Sequence, residues 1–218
     1  MTLPPPPSPA PHTCYLYLVR HGATPNNLAN PPKVQGQHAV SELSEEGHAQ
    51  AAATARWLAD HPLRAVYSSP LARAMQTAAT IAAPHGLEPV AVEAVRECDV
   101  GEWEGKTWAE VERDDPEGYR RFVEDPARHP YAGGENLTQL LARTTPAIES
   151  LFERHRGELI LLVAHNVVNR SYLAQCMGLP LAKARAVMQA NCGLNVLRFR
   201  NGEIKPVTIN ARFHLGAW

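Results

Sequence analysis

The sequence predicts an α/β fold: a three-layer α/β/α sandwich around a mostly parallel sheet, with a small irregular and helical insertion over its ligand edge. Three observations carry that expectation. Short apolar runs alternate with longer amphipathic segments along the chain, the pattern of strands joined by crossover helices. One of these runs, "ELILLVAH", is apolar without alternation, as a strand covered on both faces would be. An Asn201-Gly202 pair between two strand-like runs predicts a hairpin at the end.

The elements follow in order. Tyr15 to Val19, "YLYLV", is the first strand and stops at Arg20-His21-Gly22. A polar, proline-broken loop runs to Ser44, whose hydroxyl suits a helix N-cap with Glu45 and Glu46 in the first turn. That helix continues to about Asp60, where Pro62 ends it. Ala65 to Tyr67 is a short strand, and Pro70 opens a helix over Leu71 to Ala83. Pro89 to Val92 is a further strand candidate. Residues 97–134 are irregular, with one or two short helices, and are expected to form a lid insertion. A long helix spans Glu135 to Arg156, the "LILLV" strand follows, and helical pieces cover Val168 to Met177 and Lys183 to Met188. The hairpin joins Leu194 to Arg200 with Glu203 to Ile209. Residues 1–13 read as a proline-rich flexible tail, and 14–218 as a single domain.

Bulk composition narrows the function classes. Lys and Arg number 21 against 22 Asp and Glu, a formal charge of -1, so no basic field points to nucleic acid or a membrane surface. No run approaches the roughly 20 apolar residues that span a bilayer, and the N-terminus lacks a signal-peptide pattern. Four single cysteines without CxxC spacing suggest reduced thiols in a cytoplasmic protein. His61, His85, His129 and His155 lie in polar or turn-like surroundings and are expected at the surface.

Chemistry-bearing residues gather after the strands. Arg20-His21-Gly22 follows the first, Ser68-Ser69-Pro70 with Arg73 the second, and His165-Asn166 the "LILLV" strand. In such sheets ligands bind beyond the carboxyl ends of strands. Two arginines and two histidines there would repel one another without an anion, and planar bidentate donors best match a carboxylate or phosphate. Imidazole is a competent covalent catalyst near neutral pH. Glu97, at the start of the insertion, offers a carboxyl to protonate a leaving group and then activate water.

Five ordered blocks carry a resemblance: "LVRHGATPNN", "YSSPLARAMQTA", "RECDVGEWEGKTWAEV", "GGENLTQLLAR" and "LLVAHNVVNR". Together they resemble the histidine phosphatase superfamily, also called the phosphoglycerate mutase-like family, over about Tyr15 to Tyr172. The resemblance implies His21 as nucleophile and Glu97 as proton donor. It implies Arg20, Arg73 and His165 around the phosphoryl group, with Asn27 as a neutral donor and the Asn166 N–H as a further one. It also implies a metal-independent, cofactor-free phosphatase acting on a small phosphomonoester. The sequence departs at "QGQHAVSELSEEG", which lacks the acidic residue many relatives carry there, and at Asn166, where Gly is frequent. A cofactor-dependent phosphoglycerate mutase is the nearest alternative, disfavoured by the "RECDVGEWEG" block and the compact insertion; a non-catalytic phospho-ligand binder is a third. Trp103 and Trp108 are expected to pack in the core or lid rather than touch substrate.

Overall fold

The computed structural model describes residues 9–216. Of the proline-rich tail, residues 1–8 lie outside the described residues, and Thr13 already belongs to the first strand, where it is buried. The strands are β1 (Thr13–Arg20), β2 (Leu63–Ser68), β3 (Val90–Ala91), β4 (Leu159–Ala164), β5 (Leu194–Arg200) and β6 (Glu203–Ala211). They form one sheet in the order β3-β2-β4-β1-β5-β6. The first four run parallel, and β5 and β6 add antiparallel to β1's free side. Asn201 and Gly202 turn the hairpin with φ of 54° and 79°, the positive pair that a type I′ turn requires.

The period of two along the central strands builds two cores. Leu16 and Leu18 of β1, with Ile160 and Leu162 of β4, face one layer; Tyr17, Val19, Leu161 and Val163 face the other. Helices α6 (Leu137–Arg154) and α7 (Asn166–Cys176) cover the first face, and α2 (Glu45–Leu58) and α3 (Ala72–Ala82) the second. All of β4 is buried, so truncating Leu162 to Ala would cost on the order of 2–5 kcal/mol. The mostly parallel sandwich is therefore as expected.

Boundaries differ where capping decides them. Ser44 caps α2 as expected, accepting from Gly47 N at 3.1 Å. Helix α6 begins at Leu137 because Asn136 accepts from Gln139 N while Gln139 Oε1 accepts from Asn136 N. Helix α7 begins at Asn166, two residues before the expected Val168. A four-residue helix, α1 (Pro25–Leu28), interrupts the loop read as irregular, and 97–134 holds α4 (Trp108–Asp114) and α5 (Pro116–Glu124). The four histidines placed at the surface are instead half-buried. His61 Nδ1 meets the Tyr17 hydroxyl at 3.0 Å, and His155 bridges the Tyr67 hydroxyl (2.7 Å) and the Glu158 carboxylate (2.6 Å).

Candidate active site

Register places the site. Arg20 of β1 pairs with Ala164 of β4, so His21 and His165 leave adjacent strands side by side, their rings 5.2 Å apart. The His21 N–H donates to Ala164 O at 3.1 Å, and Ser69 N, just past β2, donates to Val163 O at 2.9 Å. Ser69 Oγ lies 2.7 Å from His165 Nε2. The glycine of Arg20-His21-Gly22 is required by packing: a Cβ on Gly22 would meet Gly47 O at 2.5 Å, where α2 presses its first turn against the loop.

The His21 tautomer is set by its own loop. Nδ1 lies 2.7 Å from Gly22 O; a carbonyl can only accept, so Nδ1 carries the proton and Nε2 keeps its lone pair. Burial, then the charges of Arg20 and Arg73, hold His21 well below the usual histidine range. His165 is held low as well, by burial first and then Arg73. Both rings are neutral near pH 7, and His165 Nδ1 has no protein partner among the described residues.

Arg73 is buried and Arg20 half-buried, and both are under-satisfied. Arg73 is 1% exposed; its Nη2 donates to Gly36 O at 2.7 Å, while Nε and Nη1 find no acceptor. Arg20 Nη1 donates to Gln189 O at 2.8 Å and Nε has none. Burial pushes Arg20 down to about 10 and lowers Arg73, yet both stay charged at neutral pH. Buried donors without acceptors cost about 1–3 kcal/mol each, a cost an anion in the site would remove.

Glu97 is 3% exposed. Its carboxylate accepts from Cys98 N (2.9 Å), Val167 N (3.2 Å) and Val168 N (3.3 Å), so it caps the first turn of α7 from outside. Arg143 fixes that segment, donating to the carbonyls of Ala94, Arg96 and Glu97 at 2.7–3.0 Å and gripping the Glu135 carboxylate. Arg96 turns to Glu93 rather than to Glu97.

Arg20, His21, Asn27, Glu97 and Asn166 line one cavity of about 320 Å³; Arg73 and His165 do not line it. Asn27 Oδ1 accepts from Thr24 N (3.1 Å) and Asn191 Nδ2 (3.2 Å), which leaves its Nδ2 end for a ligand. Asn166 is the first residue of α7, and its N–H has no intrahelical partner to meet. Among the described residues no group of three or more His, Cys, Asp or Glu is placed to hold a metal ion.

Residues 16–212 match the histidine phosphatase superfamily (branch 1). The chain belongs to this superfamily. It is 32% identical to phosphoserine phosphatase 1 of Hydrogenobacter thermophilus over 201 residues, covering 92% of this chain and 94% of that protein. The structure of YhfR from Bacillus stearothermophilus superposes with a TM-score of 0.85 at 28% identity, covering 93% of this chain and 99% of that one. Phosphoserine phosphatase from Entamoeba histolytica, solved in complex with 3-phosphoglyceric acid, gives a TM-score of 0.83 at 26% identity over the same shares.

Beyond the superfamily's blocks, the site recruits a residue that no motif announced. Asn191, between α7 and β5, donates to His21 O at 3.0 Å. Arg170, the last residue of the "LLVAHNVVNR" block, also lines the cavity, one helical turn after Asn166. The rim is two segments tied together. Val34 N donates to Lys106 O and Gly105 N to Val34 O, at 2.8 and 2.9 Å, and Lys33 bridges Thr107. Glu104 supplies the carboxylate that the "QGQHAV" loop lacks, accepting from Gly36 N at 2.6 Å. Trp103 is core, T-shaped against Phe122 and Tyr131. Trp108 stacks on Phe122 yet also lines the cavity.

Proposed function

We propose that this protein is a phosphatase that hydrolyses small phosphomonoesters by passing the phosphoryl group to His21 Nε2 and then to water. The observation that carries this reading is the His21 tautomer: a neutral ring, its Nδ1 proton tied to Gly22 O, lining the same cavity as Arg20, whose buried Nε has no acceptor. Nε2 attacks phosphorus as the ester oxygen departs with a proton from protonated Glu97. Arg20, Arg73, His165, Asn27 and the Asn166 N–H hold the equatorial oxygens, whose charge is spread most widely in the transition state. Glu97, now a carboxylate, takes a proton from the water that attacks phosphorus, and His21 leaves as the neutral ring with inorganic phosphate.

A phosphatase is favoured over a mutase by the "RECDVGEWEG" block and by the phosphatases among the relatives. A phospho-ligand binder is disfavoured because both nucleophile and carboxyl line the cavity. Arginines neutralise the phosphate, so no metal is needed. The segment 97–134 forms the lid-side wall. Four unpaired cysteines fit a cytoplasmic setting, and no helix among the described residues is long and apolar enough to cross a membrane.

The test is a rapid acid-free quench during turnover, with mass spectrometry of the His21 peptide. Phosphohistidine is expected at His21 and nowhere else, turnover is expected to be lost in His21→Ala, and excess EDTA should leave the wild-type rate intact. A mutant that still turns over, or a rate restored only by divalent ion, overturns the mechanism.

A further inference from the structure

Ser69 is completely buried just past β2 and takes no part in the steps above. Its backbone is held on both sides. The N–H donates to Val163 O of β4 at 2.9 Å, and the carbonyl accepts from the Ser68 hydroxyl at 2.8 Å. The side chain is thereby delivered to His165, with Oγ 2.7 Å from Nε2. Leu71 N donates to the same Oγ at 3.4 Å.

Two placements of the protons satisfy the Ser69–His165 contact, and they leave different groups open. A hydroxyl holds one proton and two lone pairs; a neutral imidazole has one N–H and one bare nitrogen. Leu71 N–H takes one lone pair of Oγ, and among the described residues the Ser69 proton has a single acceptor, His165 Nε2. Donated there, it satisfies hydroxyl and Nε2 together, and the ring proton stands on Nδ1 as the one open group. In the opposite placement Nε2 donates to Oγ, and the Ser69 proton and the Nδ1 lone pair are both left without partners. Buried polar groups take the partners within their reach, so the first placement prevails. Nδ1–H is then a buried donor with no protein acceptor, in a ring centred 5.2 Å from that of His21. The charged groups acting on it are Arg73, Arg20 and Arg143. All are cations, so the acceptor that completes Nδ1–H is an anion.

We propose that Ser69 is a positioning residue that fixes the tautomer of His165, so that the neutral ring presents Nδ1–H to a phosphoryl oxygen. This rests on the phosphatase reading above and deepens it. The two histidines of the site are set by different partners for different work. The Gly22 carbonyl holds the proton of His21 on Nδ1 and leaves Nε2 bare to attack. The Ser69 hydroxyl occupies Nε2 of His165 and leaves its Nδ1 proton facing outward from that bond. A neutral ring keeps this proton, so His165 stabilises charge on the equatorial oxygens while the leaving group takes its proton from Glu97.

Long-range proton–nitrogen NMR spectra of histidine-labelled protein at neutral pH test it, with His165→Asn assigning the His165 signals. The wild type is expected to carry one proton on this ring, on Nδ1, and added inorganic phosphate is expected to shift that proton's resonance downfield. Ser69→Ala should leave the two neutral tautomers mixed. It should also lower kcat for p-nitrophenyl phosphate by about tenfold or more, with KM changed less. A thermal melt checks that the variant folds; if it does not, the wild-type spectra decide alone. A wild-type proton on Nε2, or on both nitrogens, overturns the proposal. So does an alanine variant with an unchanged tautomer, even where its rate falls, because the serine would then act through packing alone. A wild-type rate in a variant with mixed tautomers also overturns it, as does an active wild type whose Nδ1 resonance ignores phosphate. Phosphate that moves the resonance of a protein unable to hydrolyse any phosphomonoester overturns the phosphatase reading and leaves the Ser69 contact standing. No turnover together with an unmoved resonance overturns both.

Discussion

The two walls of the cavity are built differently. The phosphoryl wall rises from the ends of β1, β2 and β4, where adjacent strands pair Arg20 with Ala164 and Ser68 with Val163. The opposite wall comes from irregular backbone, 33–38 and 97–108, held by a few cross-loop bonds and the aromatic cluster around Trp103. Sheet register fixes groups to fractions of an ångström because many bonds would have to slip together. Loops are fixed bond by bond and tolerate change. On the proposed mechanism, the contrast assigns the reaction to the groups at the strand ends and the rim contacts to the loops, with Glu97 as the group that crosses the division.

Glu97→Gln challenges that division most directly, and its effect should be the largest. Glutamine can still accept from Cys98 N and one α7 N–H but cannot donate the leaving-group proton. Phosphorylation of His21 by alkyl phosphates should fall by about a thousandfold, and by p-nitrophenyl phosphate far less, because a good leaving group needs little protonation. Single-turnover kinetics separate this step from hydrolysis. Equal losses for both ester types would make Glu97 a positioning residue and return all the chemistry to the sheet.

Arg73→Lys sharpens the comparison from the sheet side. Lysine keeps the charge but not the fork that reaches Gly36 O with one nitrogen and leaves two others open. A loss of about a hundredfold in kcat/KM is expected, some 3 kcal/mol. A near-wild-type rate would place Arg73 outside the reacting assembly.

The smallest effect is on stability. Burial keeps His21 and His165 neutral in the fold, below the ordinary 6.5. Below that pH the unfolded chain takes up protons the folded chain refuses, so stability falls as pH drops, by up to about 1.4 kcal/mol per pH unit for each ring. Above it neither ring contributes to the slope. Urea melts at several pH values between 5 and 7 should show a shallower acid slope for His165→Asn than for the wild type. An unchanged slope would mean that His165 titrates freely in the fold.

Much of the phosphoryl wall was legible in the sequence because local pattern determines it. An apolar run ends in Arg20-His21-Gly22, another in His165-Asn166, and parallel pairing makes strand ends neighbours. The start of α7 was not legible. The sequence places the start of this helix at Val168, and Asn166 and Val167 join it because a carboxylate some seventy residues earlier accepts the N–H groups of Val167 and Val168. Asn191 belongs to no pattern and reaches His21 O only after β5 has paired with β1. The half-buried histidines were misjudged for the same reason: their hydrophilic neighbours in sequence say nothing of the tyrosine hydroxyls across the layer.

The tie between Val34 and residues 105–106 also governs how such a protein can be re-engineered. Neither rim segment is an independent module. A loop grafted at 33–38 without its counterpart at 99–107 would lose the Glu104 carboxylate that meets Gly36 and His38, and Gly36 in turn presents the carbonyl that holds Arg73. Swapped singly, a rim loop would carry its error to Arg73; swapped as a pair, the two segments form a transferable cassette.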